Sequence, residues 1–267
     1  MQRECASRQP VVGAKALAQG VKMGDVGISF RNSTGANAFT LAEVLLTLAI
    51  IGVVAALTIP AVVTKVTKDQ YVVGLKKAYS TLKSVEREAI QEHGPTENWN
   101  LGHSTPQYDP TKDFEKYFLP HLDVLKNCGS DTTERGCWAE DVTDLNGSWV
   151  FNLNDSGEVY RFITSDGMAW AYEDATYYVD KSAIRAIIYV DVNGLKGPNK
   201  YGRDVFAFSF FPFNLGIKPA GSYDDYYGQS RPISTSDVNS SCKIDTFFHG
   251  QGYYCAAKVL SEGAMNY

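Results

Sequence analysis

The longest apolar stretch of the chain runs from Val44 to Thr64 and holds no charged side chain over 21 residues. A helix needs roughly 20 apolar residues to cross the hydrocarbon core of a bilayer. The alternative is a cleaved secretory signal, whose apolar core is only about 7–15 residues long and lies close to the N-terminus. Because this stretch is longer and begins further along the chain, it predicts a stable membrane-spanning helix.

After Pro60 the pattern becomes that of an amphipathic helix. Apolar or small residues recur at steps of four and three and form a single stripe: Tyr71, Leu75, Ala78, Leu82, Val85 and Ala89. Gly94 and Pro95 then end the pattern. The sequence therefore predicts one helix from Leu41 to about His93, whose second half packs its stripe against the protein's own C-terminal domain.

The rest of the chain has the patterning of an α+β domain. The segment from Pro110 to Lys126 predicts a short helix that Pro120 strains or divides. Five strands are predicted, at 148–153, 158–164, 168–174, 183–192 and 204–212. Short polar turns separate most of them, which predicts an antiparallel meander. We therefore expect an α+β fold in which the long N-terminal helix packs on an antiparallel sheet.

Charge is unevenly distributed along the chain. Residues 1–38 contain five basic and two acidic residues, a net charge of +3, whereas the whole chain carries −5, so residues 39–267 carry −8. A basic segment before a membrane helix predicts a cytoplasmic N-terminus, with the rest of the chain across the membrane. The acidic body argues against nucleic acid as a partner, because phosphate binding needs a basic surface. The only candidates for a basic patch are three scattered side chains: Lys196, Lys200 and Arg203.

Four of the five cysteines form two close-spaced couples with no C-x-x-C zinc spacing. They allow three disulfide connectivities, of which the simplest joins Cys128 to Cys137 and Cys242 to Cys255. Disulfides of this kind predict an oxidising compartment. Reduced thiols in the cytosol are the alternative.

Two residues of the apolar region depart from its character. Glu43 lies near its start, where a carboxylate costs less than the roughly 2.5–3.5 kcal/mol of the bilayer centre. Pro60 removes one helix hydrogen bond and favours a kink, with Thr58 near enough to bond a freed carbonyl. The plainer interpretations are that Glu43 faces lipid headgroups and that Pro60 marks the end of the membrane span.

The run Ala38-Phe39-Thr40-Leu41-Ala42-Glu43, followed by the apolar stretch and Pro60, resembles the type IV pilin and type II secretion pseudopilin family. The resemblance implies that a prepilin peptidase cuts between Ala38 and Phe39 and methylates the new amine of Phe39. Glu43 then becomes the fifth mature residue and Pro60 the twenty-second, as is typical of the family. In such an assembly Glu43 is expected to pair with the Phe39 amine of a neighbouring subunit and to set the axial stagger.

This sequence departs from the family pattern in its leader. The residue before the cut is usually Gly, and the leader is usually shorter than 38 residues. Translation from Met23 instead of Met1 would give a leader of 16 residues that contains Arg31.

The resemblance also implies an organisation and a set of partners. Residues 1–38 would be the leader, 39–64 the membrane and assembly half of the helix, 65–94 its amphipathic half, and 95–267 a globular periplasmic or extracellular domain. The fold would be a pilin-like ladle with a disulfide-bounded C-terminal region. Expected partners are the prepilin peptidase, other pilin-like subunits, the assembly platform of the bacterial inner membrane and membrane lipid. The expected role is structural, in a pseudopilus or a pilus, and the alternative is a minor pilin that captures a glycan, a surface or DNA at a filament tip.

One loop has the composition of a calcium site. The stretch DVNGLKGPNKYGRD places oxygen ligands at Asp191, Asn193, Asn199 and Asp204, with glycines for tight turns. It is not an EF-hand, because no Glu occupies the twelfth position. Some pseudopilins hold Ca²⁺ in a C-terminal loop, so the resemblance points the same way. The alternative is a hairpin loop in which Asn and Asp make local side-chain turns.

Catalytic signatures are absent from the sequence. The four histidines are scattered and form no H-E-x-x-H, and there is no G-x-S-x-G, Walker loop or G-x-G-x-x-G. We therefore expect no enzymatic activity and no cofactor other than Ca²⁺. A membrane-anchored enzyme is the function class that this observation disfavours most.

Overall fold

The computed structural model describes residues 39–99, 101, 111–174, 186–213, 215–223, 232–243 and 251–267. The chain divides into two compact units, Met1–Gly52 and Val53–Tyr267. The leader predicted at 1–38, including Ala38 and Met23, lies outside the described residues. In the first unit the described part is the beginning of the N-terminal helix, and all the strands described below belong to the second unit.

Helix α1 spans Leu41–His93, close to the predicted bounds. It ends where Gly94 adopts a left-handed φ of +80° and donates its N–H to the carbonyl of Ile90 at 2.9 Å. A glycine in this conformation is a common helix terminator, because it has no Cβ to strain. All six residues of the predicted stripe are buried, each at most 7 % exposed, as are Val72 and Glu86 beside them. The amphipathic pattern therefore predicted the packed face of the helix correctly.

The elements that follow α1 are short helices around a larger sheet. Three further α-helices occur among the described residues: α2 (Thr111–Tyr117), α3 (Thr235–Ser241) and α4 (Cys255–Glu262). The strands are β1 (Val124–Gly129), β2 (Val142–Thr143), β3 (Val150–Phe151), β4 (Val159–Thr164), β5 (Ala169–Asp174), β6 (Ala186–Asp191), β7 (Val205–Phe211) and β8 (Gly216–Pro219). Single 3₁₀ turns lie at Thr96–Asn98, Leu119–His121 and Leu153–Asp155.

The main sheet has six antiparallel strands in the order β1-β4-β5-β6-β7-β8, and β2 and β3 form a separate pair. Strands β4 to β8 are neighbours in sequence order, so the predicted meander is confirmed for four of its five strands, β4 to β7. The strand predicted at 148–153 is not part of it, because β3 pairs with β2 instead. The register pairs Phe162 with Trp170, Trp170 with Val190 and Val190 with Phe206. Because side chains alternate across a strand, these four residues lie on one face of the sheet.

That face packs on helix α1. The buried cluster joins the helix stripe to a row of large sheet residues: Tyr160, Phe162, Trp170, Tyr172, Ile188, Val190, Phe206, Phe208 and Phe210. Tyr79 of the helix stacks on Phe208 with ring centroids 5.8 Å apart. Burying each such side chain stabilises the fold by roughly 1.5–3 kcal/mol. The chain thus has an α+β fold with a long N-terminal helix and an antiparallel sheet.

The opposite face of the sheet is also covered. Its smaller residues form a second cluster with loop and C-terminal residues: Trp138, Ala139, Val142, Val159, Ala169, Ala171, Tyr189, Tyr201, Val205, Ala207 and Ala220. Burial on both faces explains why the strands read as nearly continuous apolar runs.

One charged residue of the buried helix face has a specific partner. The Oε1 atom of Glu86 accepts the backbone N–H of Ile217 in the edge strand β8 at 2.9 Å, and Lys83 lies against Oε2. A Cβ at Gly216 would lie 1.8 Å from the same carboxylate oxygen, so the strand approaches this closely because residue 216 is glycine. Glu86 therefore supplies a buried strand donor with an acceptor that the sheet does not offer.

Two sequence predictions in this region were wrong. The helix predicted over Pro110–Lys126 ends at Tyr117, and Val124–Gly129 is strand β1 instead. Pro120 lies in a 3₁₀ turn, because proline has no N–H to continue the helix and its ring clashes with the preceding turn. The strand predicted at 148–153 is reduced to Val150–Phe151 and is followed by a 3₁₀ turn at Leu153–Asp155.

Candidate functional site

Helix α1 begins with a capping box formed by Thr40 and Glu43. The backbone N–H and the hydroxyl of Thr40 both donate to Oε2 of Glu43, at 2.8 and 2.9 Å, while the N–H of Glu43 donates to the Thr40 hydroxyl at 3.2 Å. Such reciprocal bonds satisfy two donors that a helix start otherwise leaves without partners. This cap was not predicted from the sequence, although the T-x-x-E spacing was a readable signal of it. Phe39, just before it, is 85 % exposed.

The apolar half of the helix presents its side chains outward. The large apolar residues from Leu41 to Val66 are all more than two-fifths exposed. Of the helices that the structure describes, α1 alone is long and apolar enough to cross a membrane, by length and composition, and none of its most apolar window is buried. The helix is therefore compatible with a single-pass membrane anchor.

Pro60 does not end the helix, which continues through it to His93. The Thr58 hydroxyl donates to the carbonyl of Val54 at 2.9 Å. This differs from the expected role of Thr58, because the carbonyl that Pro60 leaves without a helix partner belongs to Ala56, four residues before the proline. Thr64 in turn donates to the carbonyl of Pro60 at 2.9 Å. The two hydroxyls thus bond carbonyls beside the proline without replacing its lost bond.

Both local disulfides are present in the structure. Cys128 and Cys137 are joined with their Cα atoms 6.2 Å apart, and Cys242 and Cys255 with theirs 5.3 Å apart. The second disulfide ties the end of α3 to the first residue of α4. These are the pairings that the spacing predicted as simplest.

The structure brings all four predicted calcium ligands together where β6 leads into β7. Asp191 and Asp204 are 1 % and 0 % exposed. Asp204 accepts the N–H groups of Asn199 and Lys200 at 2.9 and 2.7 Å and the side-chain amide of Asn193 at 3.3 Å. Asp191 accepts the N–H of Asn193 at 3.2 Å. The loop is thus well ordered by its own hydrogen bonds, as the alternative interpretation requires.

Three features of this loop nevertheless favour a cation. Burial and the nearby carboxylate of Asp204 raise the pKa of Asp191 to about 9, and burial also raises the pKa of Asp204. Within the described part of the chain, the buried Oδ1 atom of Asn193 has no hydrogen-bond partner. The side-chain oxygen of Asn199 faces only acceptors, and exchanging the amide atoms would instead give bonds to the Lys196 carbonyl at 3.0 Å and to Asp191 Oδ2 at 3.2 Å.

The donor set fits Ca²⁺. Two carboxylates, two amide oxygens and a neighbouring backbone carbonyl supply the all-oxygen coordination that this ion prefers. Converging acceptors and paired buried carboxylates are relieved when a cation lies between them. The alternative remains a loop with a flipped Asn199 amide and a carboxyl group that keeps its proton.

Comparisons of the chain with protein-family models, with curated proteins and with solved structures found no match.

Proposed function

We propose that this protein is a structural, pilin-like subunit that a prepilin peptidase processes between Ala38 and Phe39. The observation that carries the proposal is the spacing of three features along the sequence: the Ala38/Phe39 junction, the carboxylate of Glu43 four residues after Phe39, and Pro60 within the apolar run. The exposed apolar half of α1 supports it, because this surface needs lipid or other apolar helices around it. The packed half, from Tyr71 to Ala89, anchors the globular domain to the same helix.

In this account the protein crosses the bacterial inner membrane once, with its N-terminus in the cytoplasm and residues 95–267 in the periplasm or outside the cell. The two disulfides agree with an oxidising compartment for that domain. After processing, the apolar halves of many subunits bundle into a type II secretion pseudopilus or a type IV pilus. An assembly platform in the inner membrane supplies the force.

A pair of substitutions at the residue before the cut tests this function. Ala38→Phe places a bulky side chain beside the scissile bond, so we expect full-length protein in the membrane and none in the filament fraction sheared from cells. Ala38→Gly restores the residue usual in the family and should be processed at least as completely as the original chain. The readout is protein length on a gel together with recovery in sheared filaments. Normal processing and incorporation of the Ala38→Phe protein would contradict the proposal.

We also propose that the 191–204 loop binds one Ca²⁺ through Asp191, Asn193, Asn199 and Asp204. Saturating Ca²⁺ at 100 times its Kd stabilises a folded protein by about 2.7 kcal/mol, which corresponds to a rise in Tm of about 5–10 °C for a domain of this size. We expect a chelator to reverse this rise in Tm. We expect the Tm of Asp191→Asn to show no rise when Ca²⁺ is added.

The matched control is Asp141→Asn, which changes an exposed carboxylate of another loop and should retain the Ca²⁺ response. If neither Ca²⁺ nor a chelator changes the Tm of protein purified without added metal, the hydrogen-bonded loop is favoured instead.

A further inference from the structure

Two histidines that are far apart in sequence meet beside a glutamate at the C-terminal end of helix α1. Glu92 and His93 belong to the last turn of the helix, and His121 belongs to the 3₁₀ turn Leu119–His121. The Nε2 atom of His121 lies 3.5 Å from one carboxylate oxygen of Glu92, and the Nε2 atom of His93 lies 3.9 Å from the other. One ligand atom from each of the three residues lies within 4.8 Å of the other two.

Both of these Nε2 atoms are buried, and neither has a hydrogen-bond partner among the residues that the structure describes. Buried polar atoms in folded proteins nearly always have a partner, so each exception needs an explanation. One ion bound between these two nitrogens and the carboxylate that they both face would explain both exceptions.

The surroundings hold both rings in place. The His93 ring meets Tyr117 edge to face at 5.1 Å and Trp99 at 6.4 Å. The Nδ1 atom of His121 lies 3.7 Å from Oε2 of Glu88, whose other oxygen accepts the hydroxyl of Ser84 at 3.0 Å. A carboxylate that accepts a hydrogen bond from the far nitrogen orients histidine ligands in metal sites and leaves Nε2 free to coordinate. Glu88 lies beside that nitrogen, and at 3.7 Å it must approach His121 to accept the bond when the ion binds.

We propose that His93, His121 and Glu92 bind one Zn²⁺ ion, with Glu88 as the positioning residue for His121. Two imidazoles and one carboxylate are ligands that suit zinc, at about 2.0–2.2 Å from the ion. Ligand atoms of a tetrahedral site are then about 3.3 Å apart. The three ligand atoms lie within 4.8 Å of one another, so the side chains must draw together by at most roughly 1.5 Å when the ion binds. The fourth coordination position is open to water, because the Glu92 side chain is 59 % exposed.

The ligand atoms of this site differ from those of the proposed calcium loop. That loop offers only oxygen atoms, which suit Ca²⁺, whereas imidazole nitrogen favours zinc and related transition metals. Zinc at the new site would join the C-terminal end of α1 to the segment that leads into β1. The inference does not depend on the filament assignment.

The test uses the full chain without an affinity tag, purified in detergent, treated with EDTA and then titrated with Zn²⁺ in competition with a chromophoric chelator. We expect one zinc ion per chain, and at least a tenfold loss of affinity in both His93→Ala and His121→Ala. Glu88→Gln should weaken binding by about 10–100-fold, as is usual for residues that orient a metal ligand. Glu115→Gln is the control and should bind zinc as the original chain does.

Two further measurements separate loss of the site from loss of the fold. Circular dichroism shows whether each variant is folded. When Co²⁺ replaces zinc, the original chain should show the visible absorption of a four-coordinate site, and folded His121→Gln should not. Failure of the original chain to bind stoichiometric zinc would overturn the proposal. So would zinc affinity that is unchanged in folded His93→Ala and His121→Ala.

Discussion

At the scale of single residues, two carboxylates on helix α1 accept hydrogen bonds from backbone N–H groups. Glu43 accepts the N–H of Thr40 at the start of α1, and Glu86 accepts the N–H of Ile217 in β8. The first role was readable from the sequence, because a capping box has a fixed spacing of three. The second was not, since its partner lies 131 positions away and depends on how the sheet edge meets the helix.

The capping box makes the role of Glu43 testable with two substitutions. Glu43→Gln keeps a side-chain oxygen that accepts from Thr40 but removes the charge, whereas Glu43→Ala removes both. If the charge pairs with the Phe39 amine of a neighbour, we expect both variants to insert into the membrane and both to be missing from filaments. Quantitative recovery in sheared filaments checks this.

A different result would identify a purely local role. Normal incorporation of Glu43→Gln, together with failure of Glu43→Ala, would mean that the cap matters and the charge does not. Glu43→Ala leaves the N–H and the hydroxyl of Thr40 without this acceptor, which would fray the first turn.

At the scale of elements, the helix and the central strands were predictable, but the connecting segments were not. The 3.6-residue period of α1 and the apolar runs of β4 to β7 are local signals of burial. Strand β1 was misread as helix because Phe114 and Phe118 have helical spacing and the run continues past Pro120 without a strong break. Its Leu125 is 71 % exposed, so the apolar pattern there does not reflect packing. The C-terminal helices α3 and α4 are only seven and eight residues long, shorter than the roughly 11–18 residues over which helical periodicity is read from a sequence.

The contact between α1 and the sheet makes a prediction for Gly74. Alanine usually stabilises a helix by about 1 kcal/mol over glycine. Here a Cβ at Gly74 would lie 2.8 Å from the Cβ of Val192, just after β6. We therefore expect Gly74→Ala to destabilise the protein by about 1–3 kcal/mol, as overpacking does, and to lower its Tm.

A double substitution supplies the control for this contact. Val192→Gly removes the Cβ and the γ-carbons that crowd the new methyl group, so Gly74→Ala should cost less in a Val192→Gly background than alone. A Gly74→Ala chain that is as stable as the original would mean that the helix does not approach the sheet this closely.

At the scale of the whole molecule, the sequence predicted the α+β class, both disulfides and the four residues that meet in the 191–204 loop. It did not predict the meeting of His93 with His121, because the two lie 28 positions apart and no motif links them. Only the packing of the turn at Leu119–His121 against the end of α1 places them together. Sites assembled from separate elements in this way follow from tertiary structure, whereas the calcium loop is nearly contiguous in sequence and was visible as a pattern.

The central claim is that the mature chain begins at Phe39 and assembles through its apolar half. Mass spectrometry of the N-terminal peptide of protein purified from the native membrane tests it most directly. The account predicts a peptide that starts at Phe39 and carries a methyl group on its amine. A mature protein that starts at Met1 or Met23, with the Ala38–Phe39 bond intact, would contradict it.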